Sequence, residues 1–271
     1  MPKLNRQIVR RGFASSGDSQ VHYYRSGEPA AGVPLLCLHM SPHSAMVYEN
    51  FVAAMGVRRF TVAADTPGFG NSDVPAREPS IADYARAMGD LLDELDISTI
   101  NVMGYHTGTS IAVELARQRH AQVQRLVLVS APIWTPAERA AVVHRTRPQP
   151  IDEDGSHLQR YWQEAVGFSM AGRSLEMLAR IFPERLLNPA TIHWGHQAAS
   201  RYALQEVLGE IDKPILVLNP DDDLTEQTQR AATFLRHPAS RVKALPGWGH
   251  GFLDVKTAEA VALVDAFLTA S

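Results

Sequence analysis

Three short stretches of this 271-residue chain carry residue types that perform acyl chemistry. The first is Gly104-Tyr105-His106-Thr107-Gly108, directly after the apolar run Thr99–Met103. A strand that turns sharply into a helix needs small residues where the two approach, which Gly104 and Gly108 supply, and it lifts the central side chain above the sheet. The second is Asp221-Asp222-Asp223, after the apolar run Pro214–Leu218. The third is Gly247-Trp248-Gly249-His250-Gly251, a glycine-rich loop free to carry His250 to the same place. A carboxylate that fixes an imidazole tautomer, beside a group that attacks an acyl carbon, is the arrangement of nucleophilic catalysis. Asp223 is preferred as that carboxylate from its offset after the strand, with Asp222 as its rival. His106 needs no prior deprotonation to attack, because a free imidazole titrates at roughly 6.5. It serves as a covalent nucleophile, as a general base acting on water or substrate, or in a pocket that only binds.

These side chains meet only if the intervening elements bring them together. Partial alternation around Gln7–Ala14 and Gln20–Arg25 predicts an antiparallel start. Short apolar runs without alternation then recur at Pro34–Leu38, Phe60–Ala64, Thr99–Met103, Arg125–Ser130, Pro214–Leu218 and Val242–Leu245, as in strands buried on both faces. Helical patterns lie between them at Ser44–Met55, Ser80–Leu95, Thr107–His120, Glu226–Leu235 and Thr257–Thr269, with Ser80 and Asp83 spaced as a capping box. Strands alternating with helices predict an α/β protein with a mostly parallel, doubly wound sheet. The alternation stops between Ile133 and Glu210, where helices are predicted at Pro136–Arg145, His157–Met170, Arg173–Phe182 and Pro189–Val207, the last opened by Asn188-Pro189. Arg147-Pro148-Gln149-Pro150 and Asp152-Glu153-Asp154-Gly155 read as connections. A helical insertion between two core strands is expected to close over the carboxyl ends of the strands, where open α/β sheets bind ligands.

Five motifs, in order, carry a resemblance that spans nearly the whole chain. They are Leu38-His39-Met40-Ser41-Pro42, the turn Asp65-Thr66-Pro67-Gly68-Phe69-Gly70-Asn71-Ser72, the elbow at 104–108, Leu216-Val217-Leu218-Asn219-Pro220-Asp221-Asp222-Asp223, and Gly247-Trp248-Gly249-His250-Gly251-Phe252. Together they resemble the α/β-hydrolase family, in its lidded branch of small esterases, haloperoxidase-like enzymes and carbon–carbon bond hydrolases. Met40 stands where that family usually has glycine, and His106 where it usually has serine. The resemblance implies a core formed by 1–132 and 211–271 with a helical lid at 133–210. It also implies a catalytic set of His106, Asp223 and His250 in the order nucleophile, acid, base. The backbone N–H groups of Ser41 and Thr107 are the expected oxyanion donors, the latter at the start of a helix. His39, Met40, His43, Tyr105 and Trp194 are candidate substrate contacts, with His39 read first as a structural hydrogen bonder of its loop and Tyr105 and Trp194 first as packing. His193 and His196, three apart, share one helix face that either lines the lid or meets solvent.

Composition excludes other classes. A net charge of −3 with 20% charged residues, and no Lys/Arg run, gives no footprint for nucleic acid or an anionic membrane. The apolar runs are strand-sized, and Met1 to Phe13 lacks the apolar segment of a signal peptide, so a cytoplasmic location is expected. The single cysteine, Cys37, lies in the strand-like Leu35–Leu38 and reads as a buried inert thiol. No His-Glu-x-x-His motif supports a metal, so neither cofactor nor metal is expected. The resemblance allows a homodimer, though no apolar stripe demands one. The expected function is hydrolysis of a small ester, lactone, thioester or activated carbon–carbon bond. Two alternatives stay open: a cofactor-free lyase or oxygenase in which a His–Asp pair abstracts a proton, and a binding protein without turnover.

Overall fold

The computed structural model describes residues 7–29, 32–147 and 150–270; Pro148 and Gln149 of the expected connection, and the first six residues, lie outside them. Eight strands form one sheet: β1 (Arg10–Ser16), β2 (Ser19–Ser26), β3 (Leu35–Leu38), β4 (Thr61–Ala64), β5 (Ile100–Tyr105), β6 (Val123–Val129), β7 (Ile215–Pro220) and β8 (Arg241–Leu245). Their order is β1-β2-β4-β3-β5-β6-β7-β8. The pairings β1 with β2 and β2 with β4 are antiparallel, and all others are parallel.

The continuous apolar runs are explained by what each face meets. Leu36 and Leu38 point to one side with Val102, Leu126, Leu128 and Val217. Leu35 and Cys37 point to the other with Met103, Val127, Leu216 and Leu218. Helices α2 (Ile81–Glu94), α3 (Thr107–Gln118) and α8 (Leu204–Leu208) cover the first face with residues such as Met88, Ile111 and Leu208. The second face is covered by α1 (Glu49–Met55), α10 (Phe252–Val255) and α11 (Thr257–Thr269), through Phe51, Phe252 and Val264. Both faces are therefore core, and period-two alternation has no surface to mark. Cys37 is fully enclosed, and burial pushes its thiol well above the ordinary range. The Ser80–Asp83 capping box is formed at the start of α2.

Between β6 and β7 lie α4 (Pro136–Arg145), α5 (Ser156–Phe168), α6 (Leu175–Ile181) and α7 (Trp194–Arg201), followed by α8. The helix expected over Pro189–Val207 is thus two helices, and Asn188-Pro189 does not open the first. Thr191 Oγ1 donates to the carbonyls of Gly68 (2.6 Å) and Asn188 (3.1 Å), which ties the preceding residues to the Gly68 turn. Tyr202 takes extended angles (φ −92°, ψ 129°) where its hydroxyl donates to Glu114 at 2.9 Å, separating α7 from α8. Two other expected helices are shorter than their patterns. Ala45–Tyr48 is a 3-10 turn before α1, and α9 (Thr225–Gln229) gives way to another at Arg230–Thr233.

At the elbow, helix and strand backbones approach closely. A Cβ on Gly108 would lie 2.2 Å from the Leu38 carbonyl oxygen, and one on Gly104 would lie 2.2 Å from the Gly108 carbonyl oxygen. Both obstacles are backbone, so α3 and β3 would have to separate. The substitution Gly108→Ala is expected to destabilise the fold by more than about 4 kcal/mol, at the severe end for single substitutions. Thermal melting checks it, and a midpoint equal to the parent's would contradict the close approach.

Candidate active site

His106 sits between β5 and α3 with φ 50° and ψ −115°. Positive φ at a residue with a Cβ is strained, and the surroundings hold it there: His106 N–H donates to Val129 O (2.9 Å), and Thr109 N–H donates to His106 O (2.9 Å). The ring's Nε2 is turned inward, 3.5 Å from Asp222 Oδ2 and 3.7 Å from Asp223 Oδ1. A carboxylate only accepts, so this nitrogen carries the proton. Nδ1 is then the nitrogen with a free lone pair.

The two acids, rivals on sequence grounds, each take a different imidazole. Asp223 Oδ1 accepts from His250 Nε2 at 2.9 Å, and the other nitrogen of that ring, Nδ1, meets the Tyr105 hydroxyl at 3.1 Å. With Nε2–H given to the carboxylate, Nδ1 accepts the Tyr105 proton, and burial raises the Tyr105 phenol well above its usual range, so that proton stays on. Asp222 is fixed from behind: Ser130 Oγ donates to its Oδ2 (2.5 Å) and Leu224 N–H to its Oδ1 (2.9 Å). Burial acts to raise the Asp222 carboxyl, but the His106 ring, Ser130 and Leu224 N–H hold it below the ordinary carboxylate range. Burial also opposes ionisation of Asp223; the His250 hydrogen bond and the electrostatic influence of the neighbouring His106 and His250 rings more than offset it. Both acids are therefore carboxylates at neutral pH, and the site is two carboxylate–imidazole pairs side by side, ring centroids 5.0 Å apart.

The pairs open on a cavity of about 630 Å³ between the carboxyl ends of the strands and the helices that follow β6. Met40, Ser41, His43, Tyr105, His106 and His250 line it from the core side. Thr107 begins α3, so its N–H has no preceding turn to donate to and faces outward at the elbow. Met40 is not among the described residues with positive φ, so a side chain is accommodated there without the freedom of glycine.

Two candidate substrate contacts lie outside the cavity lining. His39 is enclosed and off the cavity: its Nε2 accepts from Thr66 N–H (3.0 Å), and its Nδ1 lies 3.0 Å from Met40 O. That ring braces the loop instead of touching ligand. Trp194 packs on the Gly68 turn, where a Cβ would lie 3.4 Å from its ring, and the cavity wall is made by its neighbours His193 and His196. Sequence reasoning gave no role to Arg145, Arg173 or Arg185, which also reach the cavity. Arg173 pairs with Asp254 (2.9 Å) and Arg185 with Glu164 (2.8 Å).

Several imidazoles around the site are held neutral. Burial, then the charges of His106, Arg145 and Arg185, lowers His196 to about 4. Burial is also the first cause of the lowered values of His39, His43 and His193. In the unfolded chain each titrates at roughly 6.5. As pH falls below that value the unfolded state gains protons that the folded state refuses, so the folded state loses stability on acidification. Thermal midpoints are expected to fall steadily from pH 6.5 towards pH 4, and less steeply in His196→Gln; a flat profile across this window would show the rings are not held neutral.

Comparison with known proteins agrees with this architecture. Residues 33–257 match the family model described as alpha/beta hydrolase fold. An uncharacterized protein of Mycobacterium tuberculosis is 32% identical over 155 residues, covering 56% of this chain and 45% of that protein, so this match spans less than half of that relative's length. A non-heme chloroperoxidase of Streptomyces lividans is 26% identical over 268 residues, covering 90% of this chain and 94% of its own. The enol-lactonase of Burkholderia xenovorans superposes with a TM-score of 0.79 at 19% identity, covering 96% of this chain and all of that one, which establishes the shared fold. Among the described residues no helix is long and apolar enough to cross a membrane.

Proposed function

The chain belongs to the alpha/beta hydrolase fold family, and from that premise we propose that it hydrolyses a small ester, lactone or thioester through His106. The observation that carries this is the orientation of the His106 ring at the elbow. Its Nε2–H faces Asp222 and Asp223, which leaves the Nδ1 lone pair for an acyl carbon in the cavity. The lid reading of 133–210 belongs to the same proposal, because helices from that segment close the cavity over His106.

Attack by Nδ1 forms a carbon–nitrogen bond and pushes the carbonyl electrons onto oxygen, beside the N–H groups of Thr107 and Ser41. Collapse expels the alkoxide or thiolate, which takes a proton from water. The acyl-imidazolium left on His106 keeps its Nε2 proton against the Asp222 carboxylate. Water then adds to the acyl carbon, Nδ1 departs with its electron pair, and the acid is released. An acyl-imidazole is labile, so the second half needs little help.

A second reading has its own support. Both nitrogens of His250 are engaged, by Asp223 and Tyr105, so His106 Nδ1 is the unengaged imidazole nitrogen at the elbow. A single base suits direct activation of water, or proton abstraction from a substrate as in a lyase. Intact-mass analysis during turnover of p-nitrophenyl acetate separates the two, run on the parent and on His106→Ala. An acetyl adduct mapped to His106 supports the covalent route. Turnover without an adduct leaves the general-base route, and a parent no faster than His106→Ala removes acyl hydrolysis altogether.

A further inference from the structure

One nitrogen at the centre of the site has no partner at hydrogen-bonding distance. His106 is 9% exposed, and its Nε2 is a buried polar atom without a hydrogen bond, its nearest carboxylate oxygens standing at 3.5 and 3.7 Å. One ligand atom from each of His106, Asp222, Asp223 and His250 lies within 4.8 Å of all the others. We propose that these four side chains form a binding site for one divalent first-row transition ion, such as zinc, and that the ion turns hydrolysis off.

Distances, charge and the surrounding contacts point the same way. Four N and O ligands at about 2.0–2.2 Å from a tetrahedral ion stand about 3.3–3.6 Å apart. The His106 separations of 3.5 and 3.7 Å are already of that size, and His250 Nε2 to Asp223 Oδ1, at 2.9 Å, is slightly shorter. The widest gap needs to close by about 1 Å, within the reach of small side-chain rotations. The two carboxylates contribute a charge of −2 to the set of ligands, and among the described residues no Lys or Arg lies within 4.0 Å of either acid. A dication brings that charge to zero. Two nitrogens and two oxygens suit zinc, cobalt or manganese better than calcium.

The outer contacts are those that orient metal ligands. Ser130 and Leu224 N–H hold Asp222, and the Tyr105 hydroxyl sits on the far nitrogen of His250, where it can accept as readily as donate. Coordination by Nε2 of His250 moves the ring proton to Nδ1, and Tyr105 then accepts it. The same shift in His106 has the opposite consequence for catalysis. With Nε2 bound to the ion, Nδ1 carries the hydrogen and presents no lone pair to an acyl carbon. The inhibitory consequence rests on the hydrolase reading; the binding does not.

The test uses tag-free full-length protein, stripped with chelator and titrated with cobalt chloride. Visible d–d absorption is expected to rise to one equivalent and to be displaced by zinc. His106→Ser removes one ligand while installing a smaller side chain, and Asp222→Asn removes another; both are expected to lose the bands while melting cooperatively without metal. Ester turnover of the parent is expected to fall in step with zinc occupancy. No bands in the parent, or equal bands in both variants, overturns the site, and turnover that rises with zinc overturns the switch. Bands without any turnover would remove the hydrolase reading and leave the ion site; turnover without bands does the reverse.

Discussion

Alanine at position 106 is expected to lower kcat for p-nitrophenyl acetate by about 10²–10⁴-fold while leaving KM within a few-fold of the parent, a loss of the size expected when a nucleophile or base is removed. The cavity wall is shared among many side chains, so deleting one ring changes ground-state binding little. The transition state, by contrast, loses the only lone pair the elbow presents. His106→Ser sharpens the point. Serine is the usual occupant of this turn, and it needs a neighbouring imidazole to take its proton. Here His250 gives Nε2–H to Asp223 at 2.9 Å and accepts from Tyr105 at 3.1 Å, so neither nitrogen is free for a serine hydroxyl. Serine is therefore expected to be as slow as alanine. Recovery of activity in His106→Ser, or an unchanged rate in His106→Ala, would show that His250 works as the base and that the ring at 106 is incidental.

The pattern of this fold was largely legible because both faces of the sheet are core. Uninterrupted runs such as Leu35–Leu38 and Leu126–Val129 follow directly from burial on two sides. Element ends were less legible wherever a tertiary contact decided them. Thr191 bound to the Gly68 carbonyl and Tyr202 bound to Glu114 reshape a stretch whose local pattern is helical throughout. At the site, the elbow, the acids and His250 announced themselves by glycine spacing and by position after strands. What no spacing could convey is which acid serves which ring. Asp222 and Asp223 are adjacent, and the direction of Asp222 is set by Ser130 and Leu224 N–H, groups without a motif of their own. The metal-like cluster was invisible for a related reason: its ligands come from three separate loops, and no pair within one helix has ligand spacing. His39 and Trp194, read first as structural residues and only second as contacts, lie outside the cavity lining, His39 bound to Thr66 and Trp194 packed on the Gly68 turn.

The sharpest difference between two conservative changes is expected at the adjacent acids. In Asp222→Asn, Leu224 N–H needs an oxygen to donate to, so the amide oxygen takes that place and the NH₂ group faces Ser130 and His106. An NH₂ group donates, and at 3.5 Å this position is nearer to His106 Nε2 than Asp223 Oδ1 at 3.7 Å, so Nε2 is expected to give up its proton and accept. The ring hydrogen moves to Nδ1, and the lone pair that faced the cavity is gone. Loss of the working tautomer at an otherwise intact site costs on the order of 10⁴-fold in a serine protease, and a comparable fall in kcat is expected here at neutral pH. Asp223→Asn disturbs His250 instead, and His106 keeps its carboxylate at Asp222, 3.5 Å away. Its loss is expected to be clearly smaller. Side-by-side kcat measurements on the two variants, with melting curves to show that both are folded, decide the matter. The reverse order, with Asp223→Asn the slower, would transfer the chemistry to His250 and make His106 its support. Adjacent carboxylates with separate rings also explain why histidine fits this turn. Asp222 behind the elbow supplies what a serine would have sought from His250, so the second imidazole can stay bound to Asp223 and Tyr105.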